Sequence, residues 1–238
     1  MSTESTITRT TAEIVRRFAN LSTTRDGAVV EGRQLIRLAA NSIRATHRGQ
    51  LADAERQLTE AQRRLEALCA ALRPYPNLYW AGYVQDAMKE VAEAAITLAM
   101  VTDRPIPSPT DLGVEDAAYL NGLAEAASEL RRDVLDSLRA GDLPRAERLR
   151  TVMDDVYSAL VTVDLPDAMT GGLRRTTDAL RAVLERTRGD VTLAAVQGRV
   201  EVALRQLLGD GFGADSGDVQ VPAGRSGGKV TGVPAPKP

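Results

Sequence analysis

Histidine and cysteine each occur once in the 238 residues, and aromatic side chains make up only 3% of them. A solitary histidine excludes metal cages built from several imidazoles, and any serine-histidine-carboxylate machinery would have to use His47. That residue precedes Gly49 at a helix end, where it reads as a partner of the helix dipole or as a phosphate contact. Cys69 alone can form neither an intrachain disulfide nor a cysteine metal cluster, and within LEALCAAL it reads as a buried, inert thiol. Lysine is scarce as well: apart from Lys89, Lys229 and Lys237, the 30 basic side chains are all arginine, 27 in number. Arginine's planar fork suits phosphates and base stacking, although a GC-rich genome leaves the same bias.

Other absences narrow the function classes. No run approaches the ~20 apolar residues of a membrane span, and MSTESTITRTTAEIVRRF lacks the apolar stretch of a signal peptide. No membrane association and a cytoplasmic location are therefore expected. Neither GxxxxGK[ST] nor a GxGxxG after a strand occurs, which leaves nucleotide-cofactor chemistry without support. The formal net charge of -2 argues against a protein that grips duplex nucleic acid through overall basicity, while leaving room for a local basic patch. Carboxylates are what remain for catalysis.

What is present is helical periodicity. Apolar residues recur at helical spacing, no segment sustains strand-like alternation, and Gly and Pro clusters such as RPYPN, RPIPSPTDLG and PDAMTGG punctuate the chain. The pattern predicts helices over about 11–47 (with Asp26-Gly27 a point of breaking or bending), 50–72, 78–103, 116–139, 142–161, 173–188 and 190–208. An all-α antiparallel bundle of about seven helices follows. Residues 1–10, rich in Ser and Thr, are expected to be a flexible lead-in, 11–208 the helical domain, and the Gly/Pro-rich 209–238 a disordered tail.

Two of these helices carry acidic stripes. At 100° per residue Asp86, Glu90 and Glu93 share one face, with Val84, Met88, Val91, Ala95 and Leu98 opposite. Glu125, Glu129, Asp133 and Asp136 form a second stripe, with Leu123, Ala127, Leu130 and Val134 opposite. Such stripes are either solvated faces or, since carboxylates and water suit Mg²⁺ or Mn²⁺, a divalent metal site. Tyr75, Tyr79, Trp80 and Tyr83 cluster just before the first stripe, and either pack the helix entry or stack on unpaired bases.

The segments IRLAANSIRATHRGQ (36–50), GYVQDAMKEVAEA (82–94), DLGVEDAAYLNGLAEAASELRRDVLDSLRAGDL (111–143) and VYSALVTVDLPDAMTGGLRRTTDALRAVLERTRGD (156–190) together resemble the translin family, in the order expected of it. The resemblance implies a fold of seven helices and assembly into ring- or barrel-like homo-oligomers, often octameric, that bind single-stranded RNA or single-stranded DNA. In the translin-associated factor X type it further implies a Mg²⁺-dependent endoribonuclease. The Glu-x-x-Glu pair of that type is matched by Glu90 and Glu93, and its third acid by Asp142 or, failing that, Glu147, with Glu129 in a supporting role. On this resemblance Glu90, Glu93 and Asp142 are the expected catalytic residues and ligands of Mg²⁺ or Mn²⁺, and Arg44, Arg48, Arg174 and Arg175 the expected nucleic-acid contacts. The alternative it leaves open is a translin-like protein that binds single-stranded nucleic acid without cutting it.

Overall fold

The computed structural model describes residues 3–211, and all of its described regular structure is helical. Six long helices carry the fold: α1 (Thr3–His47), α2 (Leu51–Leu72), α4 (Gly82–Val101), α6 (Asp116–Arg139), α7 (Leu143–Leu160) and α9 (Leu173–Gly211). Three single-turn helices sit in the connections: α3 (Pro76–Tyr79), α5 (Pro109–Leu112) and α8 (Asp167–Thr170). The nine helices among the described residues exceed the expected seven for a local reason. Pro76 and Pro109 each stand in the first turn of a short helix, where a fixed φ favours helix and the missing N–H costs nothing. The prolines read as breaks thus also start turns.

Four other expectations meet a different outcome. Residues 3–10 are wound into the first turns of α1, and Asp26-Gly27 leaves that helix continuous to His47. Gly189-Asp190 lies within α9 rather than between two helices. A glycine inside a helix costs only about 1 kcal/mol, which the burial of Leu180, Leu184 and Val191 on either side of it offsets. Residues 209–211, assigned to the tail, still belong to α9; the rest of the proposed tail lies outside the described residues. The chain divides into two units, 1–196 and 197–238, and the second is helical over its described part.

Helix α4 is the centre of the first unit. It packs against α1 on one side and α6 on the other, while α1 also packs against α2, and α6 against α7. From Val91 to Val101 every residue of α4 is buried, so its second half has no solvent face. Ala92, Ala94, Ala95 and Ala99 make this possible, because small side chains let neighbours approach from all directions. A close approach occurs at Gly122 of α6, where a Cβ would meet the carbonyl oxygen of Lys89 at 2.7 Å and the amide nitrogen of Glu93 at 3.0 Å. Only glycine permits that contact. It sets the acidic faces of α4 and α6 side by side.

Candidate metal centre in an acidic cleft

Because Gly122 brings the two backbones together, Glu90 and Glu93 of α4 meet Glu125, which lies about one turn beyond that glycine on α6. One carboxylate oxygen from each of the three lies within 4.8 Å of the others. They line a cleft of about 1000 Å³ together with Asp86, Glu129 and Lys89. Its other wall is formed by α8 and the start of α9, and Gly171 and Gly172 (φ 61° and 85°) turn the chain there. Asn121 ties these pieces together, donating to the carbonyl oxygens of Ala117 and Thr170 (2.8 Å each) and accepting from Thr176 (2.7 Å).

The electrostatics are those of an under-neutralised site. Glu93 is 7% exposed, and no described side chain hydrogen-bonds its carboxyl. Burial first, then the charges of Glu90, Glu125 and Glu129, push its pKa up to about 8, with Lys89 opposing. Lys89 is the one amine in the group, bonded to Glu125 at 2.5 Å and to Glu90 at 3.3 Å. Near neutral pH the buried Glu93 therefore holds a proton. The donor set is all oxygen, without sulfur or imidazole, so the ion it fits is a hard one such as Mg²⁺ or Mn²⁺.

Behind this cleft stands His47. Its side chain is 3% exposed and sits between Glu129 (Nε2 to Oε2, 2.8 Å) and Asp133 (Nδ1 to Oδ2, 2.8 Å). Burial acts to lower its pKa, but the two hydrogen bonds and the two carboxylate charges outweigh it and raise the value to about 9. The same contact holds Glu129 below the ordinary carboxylate range, against the effect of burial. The expectation that His47 serves a helix dipole is met by its place in the last turn of α1; beyond that, both ring nitrogens are taken up by Glu129 and Asp133, so that as an imidazolium it locks α1 to α6.

The residues expected from the sequence separate into two groups. Glu90 and Glu93 come together, but Asp142 does not join them, and neither does Glu147. Asp142 caps α7 by accepting from the Arg145 amide at 3.0 Å, and it lines a different cavity, of about 650 Å³, with Asp103 and Asp136. From Glu125 to the end of α6 the helix rises roughly 20 Å, which puts the turn holding Asp142 beyond reach of the cluster. Glu147 instead pairs with Arg150 at 3.0 Å. The acid that does meet Glu90 and Glu93 is Glu125. Its signal was in the second stripe, whose members are equivalent by periodicity until the position of the close approach is known.

Of the arginines, Arg175 lines the cleft, is exposed, and has no carboxylate partner among the described residues. Arg174 points to Asp164 (3.4 Å), Arg48 donates to Gln50 (3.0 Å), and Arg44 donates to Asn41; none of the three lines the cleft. Among the aromatics, Tyr75, Tyr79 and Tyr83 pack against the core, whereas Trp80 is 59% exposed on the cleft. Cys69 is half-buried, and burial together with Glu115 pushes its thiol pKa up, consistent with an unreactive thiol.

The sequence matches no protein-family model. It is 29% identical over 180 residues to an uncharacterized protein, MJ0175, of Methanocaldococcus jannaschii, a match spanning 75% of this chain and 79% of that one. Among solved structures it is similar to AfC3PO, both alone (34% identity, TM-score 0.72, 78% of this chain and 97% of that one) and in a complex with duplex RNA (34%, 0.73, 78% and 96%). Apo-NeC3PO, at 20% identity and TM-score 0.70 over 77% and 96%, shares the fold.

Proposed function

Since the chain belongs to the translin family, we propose that it is a metal-dependent endoribonuclease acting on single-stranded RNA inside a homo-oligomer. The observation that carries this reading is the convergence of Glu90, Glu93 and Glu125 on one cleft, with carboxylate oxygens within 4.8 Å. The complex of AfC3PO with duplex RNA supports RNA as the ligand class.

Glu90, Glu93 and Glu125 would hold Mg²⁺ or Mn²⁺, which supplies a bound water of lowered pKa and a Lewis acid for the phosphodiester. The chain's own part is to bind and position. Glu93 gives up its proton when the site fills, so affinity rises with pH. Lys89 holds the Glu90 and Glu125 carboxylates in place, and Arg175, without a carboxylate partner among the described residues, offers its guanidinium to a backbone phosphate. The imidazolium of His47 fixes Glu129 in the wall.

Assembly is supported by apolar side chains left on the surface, including Ile7, Val15 and Phe18 of α1 and Leu193 of α9, each at least 58% exposed. A second reading, a binder that does not cut, is favoured by one observation. The Lys89 ammonium already bonds two of the three acids, and a resident cation competes with a metal. Labelled single-stranded RNA incubated with Mg²⁺ or with EDTA, beside a Glu90→Ala/Glu93→Ala variant, decides between them. Metal-dependent cleavage that the variant lacks supports the nuclease; binding without cleavage supports the binder, and neither refutes both.

A further inference from the structure

The acidic centre accounts for only part of the cleft. Trp80 (59% exposed) and Met169 (66% exposed) line it as well, as does Arg175. We propose that Trp80 is a base-stacking residue, receiving an unpaired nucleobase of the strand whose phosphate lies at Glu90, Glu93 and Glu125. The proposal rests on the nucleic-acid reading above and adds to it a feature that favours an unpaired strand.

Trp80 is the only tryptophan in the chain, and it is exposed while the three tyrosines around it pack inward. Leaving so large an apolar surface in water forgoes burial energy that its neighbours collect. Nor is the ring on a loose tether. Its amide donates to the carbonyl oxygen of Pro76 at 3.0 Å, and the next amide, of Ala81, to Leu78 at 3.2 Å. The indole packs edge to face on Tyr79, with centroids 5.3 Å apart and planes at 80°. Tyr79 is itself held by donating its hydroxyl to Glu115 at 2.6 Å. A preorganised indole gives contact area at little entropic cost.

The kinds of group that line the cleft match the parts of a nucleotide. An aromatic side chain fits a base, a guanidinium fits a phosphate, and the carboxylate cluster fits a phosphate-bound dication. A peptide ligand acidic enough to use Arg175 would be repelled by the acidic side chains that share the cleft with it. Stacking on Trp80 requires a base free of its own neighbours. In a duplex that base would first have to be unstacked and unpaired, a cost that a single strand does not carry.

The single tryptophan makes the test direct, because intrinsic indole emission reports this position alone. The full chain is titrated with an oligouridylate and with an equally long abasic ribose-phosphate strand of the same charge. Readings are taken with Ca²⁺ in place of Mg²⁺ and again in EDTA, so that the result does not depend on cleavage. The oligouridylate should quench the emission and bind about 5- to 100-fold more tightly than the abasic strand, the range expected for one stacked base. Trp80→Ala should erase that difference while leaving abasic binding unchanged, and Trp80→Phe should restore most of it. Equal binding of both strands by the unaltered protein overturns the proposal and leaves the RNA reading standing; absence of any RNA binding overturns both. A Trp80→Ala protein that binds both strands equally weakly, or that changes mass in native mass spectrometry, shows the ring to be structural or a subunit contact, and the proposal fails.

Discussion

Deprotonating His47 should loosen the lock between α1 and α6, and the effect can be sized. The folded-state pKa of about 9 exceeds the ordinary 6.5, so the imidazolium stabilises the fold fully below about pH 6.5, and that contribution fades as pH rises through about 9. A displacement of about 2.5 units corresponds to ~3 kcal/mol at 1.36 kcal/mol per unit. The side chains of His47 and Asp133 are 3% and 13% exposed but that of Glu129 is 41%, so solvent screens the Glu129 half of the contact and only part of this should be realised. His47→Gln should remove it at every pH and leave Glu129 and Asp133 facing each other, a cost of about 1–3 kcal/mol near pH 6. Urea unfolding of both proteins between about pH 6 and pH 10 measures the gap, which should shrink toward the alkaline end. Any other group that titrates over this range is common to both proteins and drops out of the difference. As the chain has one histidine, its imidazole NMR signal gives the pKa without assignment. A value at or below 6.5, or a gap that does not change with pH, would refute the reasoning.

Three further outcomes follow from the same geometry. Gly122→Ala puts a Cβ 2.7 Å from the Lys89 carbonyl oxygen, so α4 and α6 must separate, at a cost of about 1–3 kcal/mol; thermal melts should show the loss, and Mn²⁺ affinity should fall with it. Glu93→Gln should stabilise the metal-free protein at neutral pH, because a carboxyl whose pKa rises from 4.5 to about 8 on folding destabilises the native state increasingly across that interval; urea midpoints in EDTA should diverge as pH rises, and identical pH profiles would count against the buried acid. Asn121→Ala removes three hydrogen bonds, two of which join α6 to α8 and α9, which should lower the urea unfolding free energy by ~1–3 kcal/mol.

Much of this was readable along the chain because it is local. The spacing of apolar residues places the long helices, Gly49 (φ 69°) ends α1 as expected, and the i, i+3 relation of Glu90 and Glu93 fixes them on one face. What was not readable depends on neighbours. Gly189 reads as a stop because propensity says nothing about the burial around it, and the connector prolines read as breaks though they also begin single turns. Asp142 was expected as the third acid by alignment to a pattern, whereas the structure gives it a capping role and supplies Glu125 through a helix crossing at Gly122. A lone histidine near a helix end says nothing of the two carboxylates that await it on a helix 82 residues later.

The choice between Glu125 and Asp142 is also the sharpest probe of the proposed centre. Mn²⁺ binding followed by electron paramagnetic resonance, on the unaltered chain and on Glu125→Ala and Asp142→Ala, reads occupancy without any substrate. Binding to the unaltered and Asp142→Ala proteins, weakened by on the order of tenfold or more in Glu125→Ala, is the predicted result. Affinity indifferent to Glu125→Ala, or abolished by Asp142→Ala, would contradict a metal centre in this cleft.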